Sequence, residues 1–146
     1  MKRVLVLGVL AATFCIPALA SGQADPGKYV GAIDGQDGSK MTIRIALRDG
    51  TPAVTEIKAK RFDLDCEGAP AGTQGTATLG GEIPVRNTGA FKVADDNGET
   101  TFKTRAKVKG DRIKGTFRFF GLVDTGDGGV RDCDSGRQSF KATADS

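Results

Sequence analysis

Beyond its first twenty residues the chain shows no window with a helical apolar period. Apolar and polar positions alternate in short runs, punctuated by Asp-Gly, Asn-Gly and Gly-Asp pairs. This is the pattern of half-exposed β-strands joined by tight turns. Strands are expected near 28–33, 40–48, 53–60, 61–66, 82–86, 90–96, 99–109, 112–120 and 137–143. If 53–60 and 61–66 are one bent strand, the count is about eight. The Gly- and Thr-rich stretch Glu67 to Gly81 and the Asp- and Gly-rich stretch Val123 to Asp132 read as long loops.

Turn chemistry predicts registers. A two-residue hairpin at Asn97-Gly98, where both positions tolerate positive φ, places Val93 opposite Phe102 and Phe91 opposite Thr104. A turn at Gly110-Asp111 sets Val108 against Ile113, Thr104 against Phe117 and Phe102 against Phe119, so residues 90 to 120 form a meander with one apolar face. A three-residue loop, Asp49-Gly50-Thr51, aligns Ile45 with Thr55, Ile43 with Ile57 and Met41 with Ala59. The apolar positions then change parity between Ala59 and Phe62, which a β-bulge near Lys60-Arg61 would restore. Two amphipathic antiparallel sheets hide their apolar faces by packing together. The expected fold is therefore all-β, an antiparallel β-sandwich, with a small closed β-barrel as the alternative.

The N-terminus changes the compartment. Lys2 and Arg3, the apolar run Val4 to Ile16, Pro17 and the small-x-small triplet Ala18-Leu19-Ala20 have the order of a cleavable export signal. The apolar run is short for a membrane span, and polar sequence follows it. A lipoprotein signal is excluded because Phe14 rather than a small residue precedes Cys15. The expected organisation is a signal over 1–20, a linker over 21–27 and a single all-β domain over 28–146, in the periplasm or outside the cell, with no transmembrane segment after cleavage. Without the signal, 19 bases face 18 acids, a net charge of +1 that says little about partners. Cys66 and Cys133 then remain, and in a compartment that does not keep thiols reduced they are expected to pair. With no histidine in the chain they cannot complete the usual zinc set.

The spacing Gly27-x-Tyr29-x-Gly31, Cys66 midway, Gly110-x4-Gly115-x-Phe117, and Cys133-Asp134-Ser135-Gly136-x3-Phe140-x-Ala142 resembles small exported bacterial all-β domains of unknown function. The resemblance covers most of the chain after the signal and implies the fold, the disulfide and export. It implies no activity.

Catalysis finds little support. Asp134-Ser135-Gly136 has no histidine with which to build a triad and reads as a turn before the final strand. Carboxylate pairs of the glycosidase kind would have to come from turn aspartates, and the chain has no Trp for sugar stacking. No cofactor is expected. Asp124, Asp127, Asp132 and Asp134 crowd one Gly-rich stretch, and Asp34 and Asp37 form a second pair, making weak calcium candidates without the EF-hand spacing.

The sharpest pattern is basic. In the registers above, the side opposite the apolar face carries Lys92, Lys103, Arg105, Lys107, Lys109, Arg112, Lys114 and Arg118, with Lys107 across from Lys114 and Lys109 across from Arg112. Like charges facing each other across strands cost stability. Asp96 and Glu99 share this face at one end. One reading is a solvated face balanced by acids from a neighbouring strand, which the near-zero net charge favours. The other is an array for phosphates, sulfated or uronic polysaccharide, or lipid head groups. A nucleic-acid reader is the weaker version, because Phe102, Phe117 and Phe119 alternate onto the other face. The expected function is thus a non-enzymatic binding or structural module of the cell envelope or exterior. The alternatives are a polyanion- or envelope-binding module using the basic face, and an inhibitor or accessory of an exported enzyme.

Overall fold

The computed structural model describes residues 24–146. The stretch 1–20 expected to be an export signal and the first residues of the expected linker, 21–23, lie outside the described residues. Ten strands form one antiparallel sheet: β1 (Gly27–Ile33), β2 (Lys40–Arg48), β3 (Thr51–Asp63), β4 (Asp65–Cys66), β5 (Gln74–Pro84), β6 (Ala90–Asp96), β7 (Thr100–Lys109), β8 (Arg112–Asp124), β9 (Val130–Asp134) and β10 (Gln138–Ala144). The order across the sheet is β6-β7-β8-β10-β1-β2-β3-β5, and β9, paired with β4, lies beside the second half of β8.

Strict alternation builds each layer. Met41, Ile43 and Ile45 of β2, Ile57 and Ala59 of β3, and Val108, Ile113 and Phe117 of β7 and β8 are all buried, while their chain neighbours face outward. Two apolar layers face each other as in a sandwich, but they are halves of one sheet curled into a half-barrel. The Phe62 ring of β3 meets Phe117 edge-on at 5.3 Å and Phe119 at 5.6 Å, both on β8. Such edge-to-face contacts stabilise aromatic pairs beyond their buried area. β5 and β6 end the main order and are joined by the short segment Val85–Gly89, and the two-residue β4 ends the branch through β9.

Local registers follow turn chemistry closely. The β7–β8 pairing is Val108 to Ile113, Thr104 to Phe117 and Phe102 to Phe119, as expected. The strands expected at 53–60 and 61–66 are one bent chain, and the bulge falls at Arg61, which takes φ 55° where the β3–β5 register shifts. Two registers need correction. At Asn97 the register closes with Asp96 opposite Thr101 rather than Glu99, so Val93 lies opposite Thr104 and Phe91 opposite Ala106. Asn97 Oδ1 accepts from the N–H groups of Glu99 and Thr100, which holds the wider turn, and the two-residue shift leaves every side chain on its expected face. At β2–β3, Asp49 and Gly50 alone make the turn, both at positive φ, and a bulge beside Arg44 and Ile45 moves Ile45 opposite Val54.

Much of the stretch Glu67 to Gly81 is strand rather than loop: β5 begins at Gln74 and runs the length of β3. Likewise β8 extends to Asp124 and β9 starts at Val130, so a tight turn replaces most of the second expected loop. The end of the linker belongs to the domain, since Ala24 is buried in the core and the Tyr29 hydroxyl donates to the Asp25 carbonyl at 2.8 Å.

Two motif glycines have steric reasons. A Cβ on Gly31 would collide with the Lys141 backbone carbonyl, and one on Gly115 would meet the Arg105 carbonyl and the Phe140 ring. Both let neighbouring strands approach closely. Cys66 and Cys133 are register partners of β4 and β9 and are joined by a disulfide. Among the described residues no helix is long and apolar enough to cross a membrane.

Candidate functional site

The outward face of β6, β7 and β8 carries the basic residues expected from the sequence. Lys103, Arg105, Lys107 and Lys109 recur at every second position of β7, as the two-residue side-chain period requires. Lys92 of β6 lies across from Arg105, and Arg118, Lys114 and Arg112 of β8 lie across from Lys103, Lys107 and Lys109. All eight are exposed. The structure brings every one of them onto a single surface.

Balancing acids are scarce there. Asp134 reaches Arg118 from β9, and Asp111 in the β7–β8 turn lies 3.7 Å from Arg112. Among the described residues, Lys92, Lys103, Arg105, Lys107, Lys109 and Lys114 have no carboxylate within 4.0 Å. Asp96 and Glu99 are exposed at the end of the face and engage no base among the described residues, and Asp96 instead accepts from the Gly98 N–H. The strand on the other side of β8 supplies a further base rather than acids: Lys141 of β10 lies directly across from Lys114, with Asp34 3.8 Å from its ammonium. The neighbouring-strand acids of the solvated-face reading therefore reach only the margins.

Three shallow depressions follow the β6–β8 surface. One, about 450 Å³, is lined by Lys107, Lys109, Arg112 and Lys114. The others, about 280 and 270 Å³, share Lys92 and Arg105 and extend to Arg86 and to Lys103. Among the described residues no acid lines any of the three.

Three participants escape sequence reasoning. Lys141 joins the face only through the β8–β10 pairing, which no local signal marks. Arg86 arrives with the β5–β6 connection. Phe120 faces outward on β8 with the Lys103 ammonium 5.2 Å and the Arg118 guanidinium 5.1 Å from its ring centre. Its even-numbered position beside Arg118 is a signal the sequence does contain.

The remaining candidates sit elsewhere. Asp134 is held by Arg118, whose hydrogen bond pulls its carboxyl below the ordinary carboxylate range. Asp127 is likewise lowered, first by the Thr125 hydroxyl and then by Arg131. Asp124 accepts from the Gly126 N–H. Among the described residues no three acidic or cysteine side chains gather as a metal cluster would require. Ser135 is buried, with its Oγ accepting from the Phe119 N–H and donating to the Gly136 carbonyl, so Asp134-Ser135-Gly136 is a hydrogen-bonded turn.

Comparison with known protein families, with curated proteins and with solved structures found no match.

Proposed function

We propose that this chain is an exported, non-enzymatic, polyanion-binding module acting in the periplasm or outside the cell. The observation that carries the reading is the run of six cations, Lys92, Lys103, Arg105, Lys107, Lys109 and Lys114, on one continuous sheet face with no carboxylate partner among the described residues. Cross-strand repulsion at Lys107–Lys114 and at Lys109–Arg112 costs stability, and an anionic ligand that neutralises these pairs turns the cost into binding energy. Export is supported by the signal-like first twenty residues together with the disulfide, which suits a compartment that does not reduce thiols.

Heparin chromatography of the purified protein in a salt gradient, beside a cation-exchange matrix of matched charge density, tests this. Elution well above the control is expected, and Lys107→Glu with Lys114→Glu should abolish the excess. Elution with the control, unchanged by the reversals, would favour a structural or protein-binding module instead.

A further inference from the structure

Resting on the polyanion-binding reading, we propose that the ligand is a linear acidic polysaccharide, sulfated or uronic, lying along β7 with successive anionic groups over Lys103, Arg105, Lys107 and Lys109. Outward side chains of a strand recur about every 6.8 Å, so these four cations make a row of about 20 Å. Lys92 flanks the row on β6, and Lys114 and Arg112 flank it on β8, so a chain displaced to either side still meets positive charge. The three acid-free depressions follow one another along this same surface.

The arrangement discriminates among anions. Side chains leaving one sheet face are spaced in series rather than converging on a point, which suits repeated charges better than a compact phosphate. The face is the convex outside of a curled sheet, which a flat bilayer meets only along a line. Among the described residues the exposed large apolar side chains, Leu47, Leu122 and Val130, lie on β2, the far end of β8 and β9, none of them across from a cation of the row, and Phe120 is half-buried against Lys103 and Arg118, so the row offers acyl chains little apolar contact. Single-stranded nucleic acid requires open aromatic platforms among the bases, and Phe120, the aromatic on this outward face, already lies beneath Lys103 and Arg118. A charged sugar chain needs charges in series and hydroxyl partners. Thr116, beside Arg105, Ser139, beside Thr116, and Thr143, beside Arg112, supply the hydroxyls.

Isothermal titration of the purified protein with size-defined heparin oligosaccharides tests this, with pyrophosphate, oligothymidylate and phosphatidylglycerol vesicles as parallel probes at one salt concentration. Affinity should rise with oligosaccharide length and level off once the chain covers the row. Arg105→Glu, in mid-row, should weaken the longest oligosaccharide by about tenfold with the melting temperature retained. Arg105→Gln, a milder change, should act in the same direction. Pyrophosphate binding as tightly as the longest oligosaccharide would overturn the proposal in favour of a compact site at Lys107, Lys109, Arg112 and Lys114. Tighter binding of oligothymidylate or vesicles would overturn it in favour of nucleic acid or membrane. Each of those results leaves polyanion binding standing, whereas no binding by any probe would sink both readings.

Discussion

Arg118 of β8 and Asp134 of β9 form a two-pronged pair, with Nε donating to Oδ1 at 3.0 Å and Nη2 donating to Oδ2. This pair ends the run of unpaired cations. The same carboxylate accepts from the Gly136 N–H and so holds the turn into β10.

If the basic face binds polyanions as proposed, Asp134→Asn should raise the salt needed to elute the protein from heparin, because it releases Arg118 to the matrix. It should also change the acid limb of stability. Arg118 holds the Asp134 carboxyl below the ordinary value of 3.8, so its contribution is present above that value and is lost as pH falls through the lower folded one. Asp127 and Asp145 are lowered as well, by Thr125 and Lys28 first, and act in the same window. Melting temperature measured below pH 4 should fall less steeply in the variant than in the parent, and identical acid limbs would show that the pair does not couple to folding.

Lys107→Glu separates binding from folding. It converts the Lys107–Lys114 repulsion into an attraction, with an expected gain of about 0.5 kcal/mol in urea unfolding. Heparin affinity should fall in the same variant. A parallel loss of stability would mean that the lysine packs rather than repels.

The disulfide closes a sequence separation of 67 residues between two strands that share only a two-residue pairing. Replacing Cys66 and Cys133 by Ala should lower unfolding free energy by about 4 kcal/mol, in the chain-entropy account. The Phe62–Phe117 contact should preserve the fold under native conditions, visible as an unchanged far-ultraviolet spectrum.

Thr104 is buried opposite Phe117, and its hydroxyl has no hydrogen-bond partner among the described residues. Thr104→Val should stabilise the protein by about 1 kcal/mol, since it removes an unsatisfied polar group at nearly constant volume. Heparin elution should not move, because this side chain faces the interior. A loss of stability on urea unfolding would reveal a partner for the hydroxyl.

Tyr29 is the single tyrosine, and the chain has no tryptophan, so tyrosinate absorbance reports it alone. Burial first, and then the charges of Asp25 and Asp111, raise its pKa above the ordinary 10.0. A raised folded pKa contributes stability fully below the unfolded value and loses it as pH rises through the folded one. The absorbance midpoint should lie above pH 10, with the melting temperature declining over the same interval. A midpoint at or below 10 would contradict the burial of the ring.

How far the fold was legible depended on sequence distance. Gly110-Asp111 set the β7–β8 register correctly because the turn lies between the partners and both strands alternate cleanly. Asn97-Gly98 marked the right turn but the wrong register, since Asn97 can hold a turn closed at Glu99 or at Thr101 opposite Asp96 and both leave the apolar faces intact. Only the end of β5 was expected, within 82–86; its longer first part was missed because Gly75, Ala77, Gly80 and Gly81 have weak strand preference, and pairing along β3 makes the segment extended.

By itself, the sequence determined the all-β class, the bulge at Arg61, the inward and outward faces, and the eight-residue basic set, because all of these follow from alternation and short turns. The tertiary structure decided that one sheet curls on itself, that β10 lies against β8 and brings Lys141 rather than acids, and that Asp134 is spent on Arg118. Those are pairings between segments far apart in the chain. They are chosen by which apolar surfaces bury best together, and local residue patterns do not encode that choice.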